Sequence, residues 1–473
     1  MSTVNEREQA ALRRASELAL EYLAGLPQAS VATTAPLAEL RRRLGGPLAA
    51  AGRDPVEVVE DLARGTAGGL LGSAGGRFSG WVIGAGLPAA LAADWLTATW
   101  DQNAGLYACG PAAAVVEEVA GGWLKELLGI PATASFALVT GCQMAHVTCL
   151  AAARQAQLER AGWDLNRDGL GGAPRLRILT SSCVHGTTLR AARLLGLGTA
   201  QVLQLEADAE GRLPAGTLSS ALASESARPT IVVLQAGDVN CGVFDDFAAL
   251  IPLAHSAGAW VHIDGAMGQW CNACPALRYL LAGAESADSW ATDGHKWLNV
   301  PYDCGYAFVA DPAQHRASMA MRASYLEHAL DARDALDFTP EHSRRARGFA
   351  TWAALRELGR DGVAQLVARC CRHAHALVTR IGALPGATVV SIPQINQGLL
   401  RFADPRPGAT AADHDRRTDA VIAAINATGE AYFTGTSWRG QRCMRVSVSS
   451  WRTDEADVAR AVAAAAEVLG GRQ

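Results

Sequence analysis

Charge is scarce in this 473-residue chain: 19% of its residues are Asp, Glu, Lys or Arg, against 49% hydrophobic. That balance excludes a polar, disordered chain and predicts an ordinary folded globule. The net charge of −4 leaves no basic footprint for nucleic acid or an anionic membrane surface. No uninterrupted apolar run is long enough to span a bilayer, and no signal-peptide pattern opens the chain. The expectation is a cytoplasmic protein whose eleven cysteines stay free thiols. Metal-ligand spacing is missing as well. Cys271-x-x-Cys274 is followed by neither a second pair nor histidines at ligand spacing, so no metal is expected. There are no internal repeats, and no low-complexity tract beyond alanine enrichment.

The length exceeds what one core usually supports, so at least two lobes are expected. Residues 1–75 read as an N-terminal helical arm, with helical spacing in Arg7–Leu23 and Pro55–Gly65 before a turn-rich Gly68–Gly76 run. Such an arm has too little core to stand alone and predicts packing on a partner subunit. Gly110-Pro111 marks a helix start ahead of the amphipathic Ala112–Leu128. From Phe136 the pattern becomes strand–helix alternation. Its short apolar runs are Phe136–Thr140, Leu176–Thr180, Val202–Leu205, Ile231–Gln235, Trp260–Ile263 and Tyr306–Val309. A further buried strand ends just before Gly294. Residues 76–340 therefore read as a large α/β domain, a mostly parallel seven-stranded sheet with helices on both faces. Residues 341–473 read as a smaller C-terminal α+β domain. Its helices are Arg345–Leu358, Val363–Leu384, Asp415–Ala427 and a last one from Asp454 to about Leu469, around strands Ala387–Ser391, Leu399–Phe402 and Met444–Val448.

Parallel sheets bind ligands outside the carboxyl ends of their strands. The first strand ends in Thr140-Gly141-Cys142-Gln143, and a helix begins at once, which is a ready anion site. The second ends in Ser182-Cys183-Val184-His185. This histidine either lies flat on an aromatic ligand and handles protons near neutrality, or simply caps the next element. The fourth ends in the polar cluster Gln235-Ala236-Gly237-Asp238-Val239-Asn240. The fifth ends in His262-Ile263-Asp264-Gly265-Ala266, and a buried Asp264 needs a partner. A turn N–H, an arginine or a pyridinium N–H would each serve. A carboxylate beside a pyridine nitrogen would hold it protonated, as pyridoxal phosphate requires to act as an electron sink.

The stretch Ser289-Trp290-Ala291-Thr292-Asp293-Gly294-His295-Lys296-Trp297-Leu298 places a lone lysine between two tryptophans. Burial there predicts a depressed pKa and a neutral amine able to condense with an aldehyde. The other reading is a surface lysine whose stem lies across tryptophan faces.

Together Thr140-Gly141-Cys142-Gln143, Ser182-Cys183-Val184-His185, Gly242-Val243-Phe244-Asp245, His262-Ile263-Asp264-Gly265-Ala266 and His295-Lys296-Trp297 make the chain resemble the pyridoxal-dependent group II decarboxylases. These include aromatic amino acid, glutamate and histidine decarboxylases and have the fold-type I, aspartate-aminotransferase architecture. The resemblance runs from about Phe78 to the C-terminus. It implies pyridoxal 5′-phosphate as cofactor, with Lys296 as the lysine that carries it, His185 stacked on its ring and Asp264 as pyridinium partner. It also implies that Gly141, Cys142 and Gln143 hold the phosphate with help from His295, and that Asp293 and Asn240 contact the cofactor. Asp293 stands where the family often has Asn, Gly265 where Ala is usual, and Cys142-Gln143-Met144 where small or hydroxyl residues and then Glu are common.

The activity implied is decarboxylation of an L-amino acid to amine and CO2 by a homodimer. An aminotransferase, an aldehyde-forming decarboxylative deaminase, a carbon–carbon lyase and a cofactor-binding scaffold without turnover are the alternatives. Arg442, Arg445 and Arg452 are the candidates for an aminotransferase's carboxylate grip. Phe78, Trp81 and Tyr107 lie where the family places its side-chain pocket, which favours an aromatic or apolar substrate. The resemblance further implies a loop tyrosine that returns a proton to Cα. No tyrosine lies between Tyr325 and Arg344-Arg345, and Phe338 is the aromatic residue nearest that role. A phenyl ring has no proton to give. Either some aldehyde and peroxide accompany the amine, or Phe338 only anchors the loop, and His185, Tyr302 or Tyr325 is the acid.

Overall fold

The computed structural model describes residues 4–321 and 332–471. The apolar runs form β1 (Ser135–Val139), β2 (Arg177–Ser181), β3 (Val202–Leu205), β4 (Thr230–Gln235), β5 (Trp260–Asp264), β6 (Ser289–Asp293) and β7 (Gly305–Val309). They make one seven-stranded sheet in the order β1-β7-β6-β5-β4-β2-β3. Strands β2 to β6 pair in parallel, and β7 runs antiparallel to both of its neighbours, β1 and β6. Helices cover both faces, which is why every strand except the edge strand β3 is buried along its whole length. The helix Cys142–Arg160 lies against β5, β6 and β7, and its N-terminus opens at the strand ends.

The C-terminal part carries an antiparallel sheet of β8 (Ala387–Ser391), β9 (Gln397–Phe402), β10 (Thr434–Trp438) and β11 (Gln441–Ser447), in the order β10-β11-β9-β8. Its helices start on side-chain caps. Thr410 with Asp413, and Asp454 with Asp457, form reciprocal capping boxes for Ala411–Ala427 and Glu455–Gly470. The two helices expected on either side of residue 360 meet end to end within Gly348–Gly382, broken where Gly359 takes φ 61°. Strand β10 has no counterpart among the expected elements. Its alternating, partly exposed side chains give no apolar run, and the signal is the Arg439-Gly440 turn, both residues at positive φ (50° and 75°), that pairs Trp438 with Gln441.

The helical arm is present as Val4–Gly25, Leu37–Leu44 and Pro55–Thr66. The first of these packs on the third and has no buried residue. The buried guanidinium of Arg77 joins the end of the arm to the C-terminal part, donating to the carbonyls of Pro27 (3.3 Å), Gly429 (3.1 Å) and Glu430 (3.0 Å). Asn299, fully buried at φ 58°, connects three segments. Its Oδ1 accepts from the amides of Ala85 (3.0 Å) and Trp451 (2.9 Å), and its Nδ2 donates to the carbonyls of Trp297 (2.8 Å) and Ser449 (2.9 Å).

Candidate active site

The carboxyl ends of β1, β2, β4, β5 and β6 surround a cavity of about 320 Å³. Gly141, Cys142, Gln143 and His185 line it, together with Asp264, Asp293, His295 and Lys296. Eight of the nine residues singled out in the sequence are thus brought to one place. Asn240 is not among them. It faces the adjoining cleft, where its Oδ1 accepts from the Thr436 hydroxyl at 2.8 Å.

Asp293, at the end of β6, organises the mouth. Its Oδ2 lies 2.9 Å from Lys296 Nζ, and its Oδ1 accepts from the Cys142 amide at 2.6 Å and lies 3.4 Å from His295 Nε2. This arrangement corrects the expectation of a depressed lysine. Burial does pull the Lys296 pKa down, but the Asp293 carboxylate, with smaller help from Cys142 and Asp264, outweighs it and holds the ammonium above its ordinary value. The tryptophans do not flank the amine. Trp290 and Trp297 point into the core and neither lines the cavity. Cys142, whose amide is taken by Asp293, leaves Gln143 as the first free N–H of the helix.

Asp264 sits on the cavity floor. Its Oδ1 accepts from the Ala266 amide at 3.2 Å, and its Oδ2 lies 3.4 Å from Nε2 of the buried His146. Burial alone would raise this carboxyl, yet His146, His185 and Lys296 together hold it far below the carboxylate range, so it is an anion. His146 has no counterpart in the sequence reading, because only the helix after Gly141 brings it beneath the end of β5. Val82 and Thr187 are further wall residues it did not include, and Thr140, Gln235 and Tyr302, named there within motifs or as a possible acid, line the wall as well. Gln235 pairs with Asp264 across β4 and β5, and among the described residues its buried Nε2 has no partner.

His185 caps the helix Gly186–Leu194, its Nδ1 within 2.8 Å of the Thr187 hydroxyl. One side of its ring borders the cavity, and burial holds its pKa below the ordinary value. The His295 ring is likewise held low by burial, against the pull of Asp293. Tyr302 stacks on it, with ring centroids 4.3 Å apart.

Several expected pocket residues lie elsewhere. Phe78, Trp81 and Tyr432 form an aromatic cluster that does not line the cavity, and the Tyr107 amide donates to Asp334 (2.9 Å) outside it. Phe338 packs edge-on against His315 and under the Arg333 guanidinium, 4.3 Å from its ring centroid, as an anchor would. Tyr325 lies outside the described residues. Arg442 is paired to Asp419 (2.8 Å), and Arg452 lies over Trp451. Arg445 donates to the Val239 carbonyl at 3.1 Å, and it too is absent from the cavity wall.

Residues 59–403 match the pyridoxal-dependent decarboxylase conserved domain. The chain belongs to that family. It is similar to tryptophan decarboxylase 1 of Oryza sativa subsp. japonica, 28% identical over 78% of this chain and 75% of the relative. It is also similar to L-2,4-diaminobutyrate decarboxylase of Rhizobium meliloti (strain 1021), 29% identical over 67% and 63%. In fold it matches the crystal structure of Oryza sativa TDC with PLP and tryptamine, at TM-score 0.92 and 22% identity over 99% of each chain. Pyridoxal 5′-phosphate is the cofactor of this pyridoxal-dependent amino-acid decarboxylase, and the residues present fit it. A Cβ on Gly141 would lie 2.9 Å from His295 Cε1, so that wall is cut for close backbone approach. An amine, a helix N-terminus and a buried carboxylate surround the same space, and Gln235 offers an unsatisfied donor.

Proposed function

We propose that the protein acts on an L-α-amino acid with an aromatic or apolar side chain, releasing CO2 and the amine. The observation that carries this reading is the composition of one cavity. Its polar groups gather at the strand ends, while Val82, Val239, Ala266 and Met267 supply apolar wall. None of the lining residues is an arginine that would pair with an acidic side chain.

When bound, the cofactor supplies the electron sink for the bond broken at Cα. Lys296 would carry its aldehyde. The Gln143 amide and His295 would hold its phosphate, beside Gly141, whose missing side chain leaves the room. Asp264 would face the ring nitrogen and His185 the ring. Asp293 holds Lys296 and the Gly141 turn in register, and the apolar wall keeps water from the reacting carbon. Among the lining residues, Tyr302 and His185 carry protons that can be returned to Cα.

A second reading keeps the same site. With Phe338 serving as an anchor and the Tyr302 ring engaged in stacking on His295, proton return to Cα can lose to oxygen. The overall reaction is then amino acid + O2 + H2O giving aldehyde, CO2, NH3 and H2O2. We also place the protein in the cytoplasm as a homodimer, divided near residues 75 and 340. Among the described residues no helix is long and apolar enough to cross a membrane, and all eleven cysteines are unpaired. The unburied helix Val4–Gly25, with exposed Leu12 and Leu20, supports docking on a second copy.

An amino-acid panel that reports CO2, amine, keto acid and peroxide separately tests these readings. Equal amine and CO2 from an aromatic or aliphatic substrate is the expected result. Keto acid without CO2 would overturn decarboxylation, and peroxide matching CO2 would favour the second reading. A fully active monomer in sedimentation would remove the dimer.

A further inference from the structure

Asp264 ends a line of polar side chains buried behind the cavity. Trp260 Nε1 donates to Ser289 Oγ (2.9 Å), Ser289 Oγ meets His262 Nδ1 (2.9 Å), and His262 Nε2 meets His146 Nδ1 (2.9 Å). His146 Nε2 then lies 3.4 Å from Asp264 Oδ2. His146, His262 and Ser289 have no exposed surface at all.

The ends of this line fix its direction. An indole N–H only donates and a carboxylate only accepts. Facing the Asp264 carboxylate, a singly protonated His146 keeps its proton on Nε2 and presents a bare Nδ1. The Ser289 hydroxyl, which accepts from Trp260, has its own proton to give to His262 Nδ1. His262 therefore carries its proton on Nε2 and donates to His146 Nδ1, which leaves the His146 proton on Nε2, aimed at Asp264. Burial pushes the His262 pKa down to about 3, so this ring carries one proton and not two. Neighbouring thiols bring no rival charge. Cys142 Sγ lies 3.5 Å from His146 Nε2, and burial raises both it and Cys149, the latter to about 12. With Oδ2 facing His146 and Oδ1 taking the Ala266 amide, the Asp264 carboxylate cannot turn without losing a partner.

We propose that His146 and His262 are positioning residues, which through this one-way chain hold Asp264 as an oriented anion for the ring nitrogen of pyridoxal phosphate. The proposal rests on the assignment of Asp264 to that nitrogen made above. It separates from a merely structural role, because its effect must vanish when the ligand has no ring nitrogen.

The test is equilibrium binding to the full-length protein of two ligands, pyridoxal phosphate and its analogue with carbon in place of the ring nitrogen. His146→Leu should weaken the natural cofactor about tenfold, the equivalent of one pKa unit at Asp264, and leave the carbon analogue unchanged. Ser289→Ala, which breaks the direction of the chain while removing only a hydroxyl, should show the same discrimination at smaller size. It carries the comparison alone where His146→Leu does not fold. Asp264→Ala is the control. Discrimination in Asp264→Ala but equal losses, or none, in the relay variants would overturn the relay alone. Equal losses for both ligands in Asp264→Ala would overturn the ring-nitrogen assignment and the relay with it.

Discussion

Lys296 has to lose a proton before its Nζ can attack an aldehyde, and Asp293 at 2.9 Å opposes that loss. Cofactor loading of the cofactor-free protein should therefore speed up as pH rises, because the raised pKa leaves little neutral amine near neutrality. Asp293→Asn removes the opposing charge and should move the loading profile to lower pH, which rapid-mixing absorbance at several pH values will read. An unshifted profile would take Asp293 out of this role. Lys296→Ala should abolish the visible absorbance that survives dialysis. A band that persists would mean another lysine carries the cofactor. These residues were legible in the sequence because each sits at the end of an apolar strand, where a buried charge demands a reason. The charge state of Lys296 was not, since burial is visible in a sequence and a partner across a turn is not. His146 was hidden for the same reason, and Asn240 was assigned by resemblance to a cavity that it does not reach.

Strand and helix positions followed from short apolar runs and caps, and all seven strands of the main sheet were in the reading. What escaped was β10, whose side chains are too polar to announce a strand and whose register comes from a two-residue turn. The break at Gly359 belongs to the same scale. No atom lies within 4 Å of a Cβ built there, so the only obstacle to a side chain is φ 61°. With ψ at −176° this is a backbone conformation nearly reserved for glycine, so Gly359→Ala should cost about 2 kcal/mol and change no contact. A urea titration showing several kcal/mol lost would mean that the break itself is held by packing. Stabilisation would mean that the helix straightens through it.

At the scale of the whole molecule, buried titratable groups set how stability responds to acid. His262 and His315 are pushed down to about 3 by burial, and at His315 the Arg333 guanidinium adds to the effect. Below their ordinary value of 6.5 the unfolded chain takes up protons that the folded one refuses, so stability falls as pH falls. Asp245, pushed up to about 6 by burial, acts the other way, because below that pH the folded state holds the extra proton. Two histidines outweigh one carboxyl. From pH 7 to pH 5 the protein should lose about 3 kcal/mol, read as a lower urea midpoint. An unchanged midpoint would mean that the imidazoles are hydrated or already charged. Length alone predicts at least two lobes, but says nothing of how the segments proposed as lobes are tied together. Asn299 spends every hydrogen-bonding atom of its side chain on the backbone of three segments, including the turn that carries Lys296 and the stretch after β11. A hinge placed there would have to break four bonds in one step. These bonds tie the stretch after β11 to the turn that carries Lys296, and the expected route for a substrate is local rearrangement of the walls without jaw-like rocking of one lobe against the other.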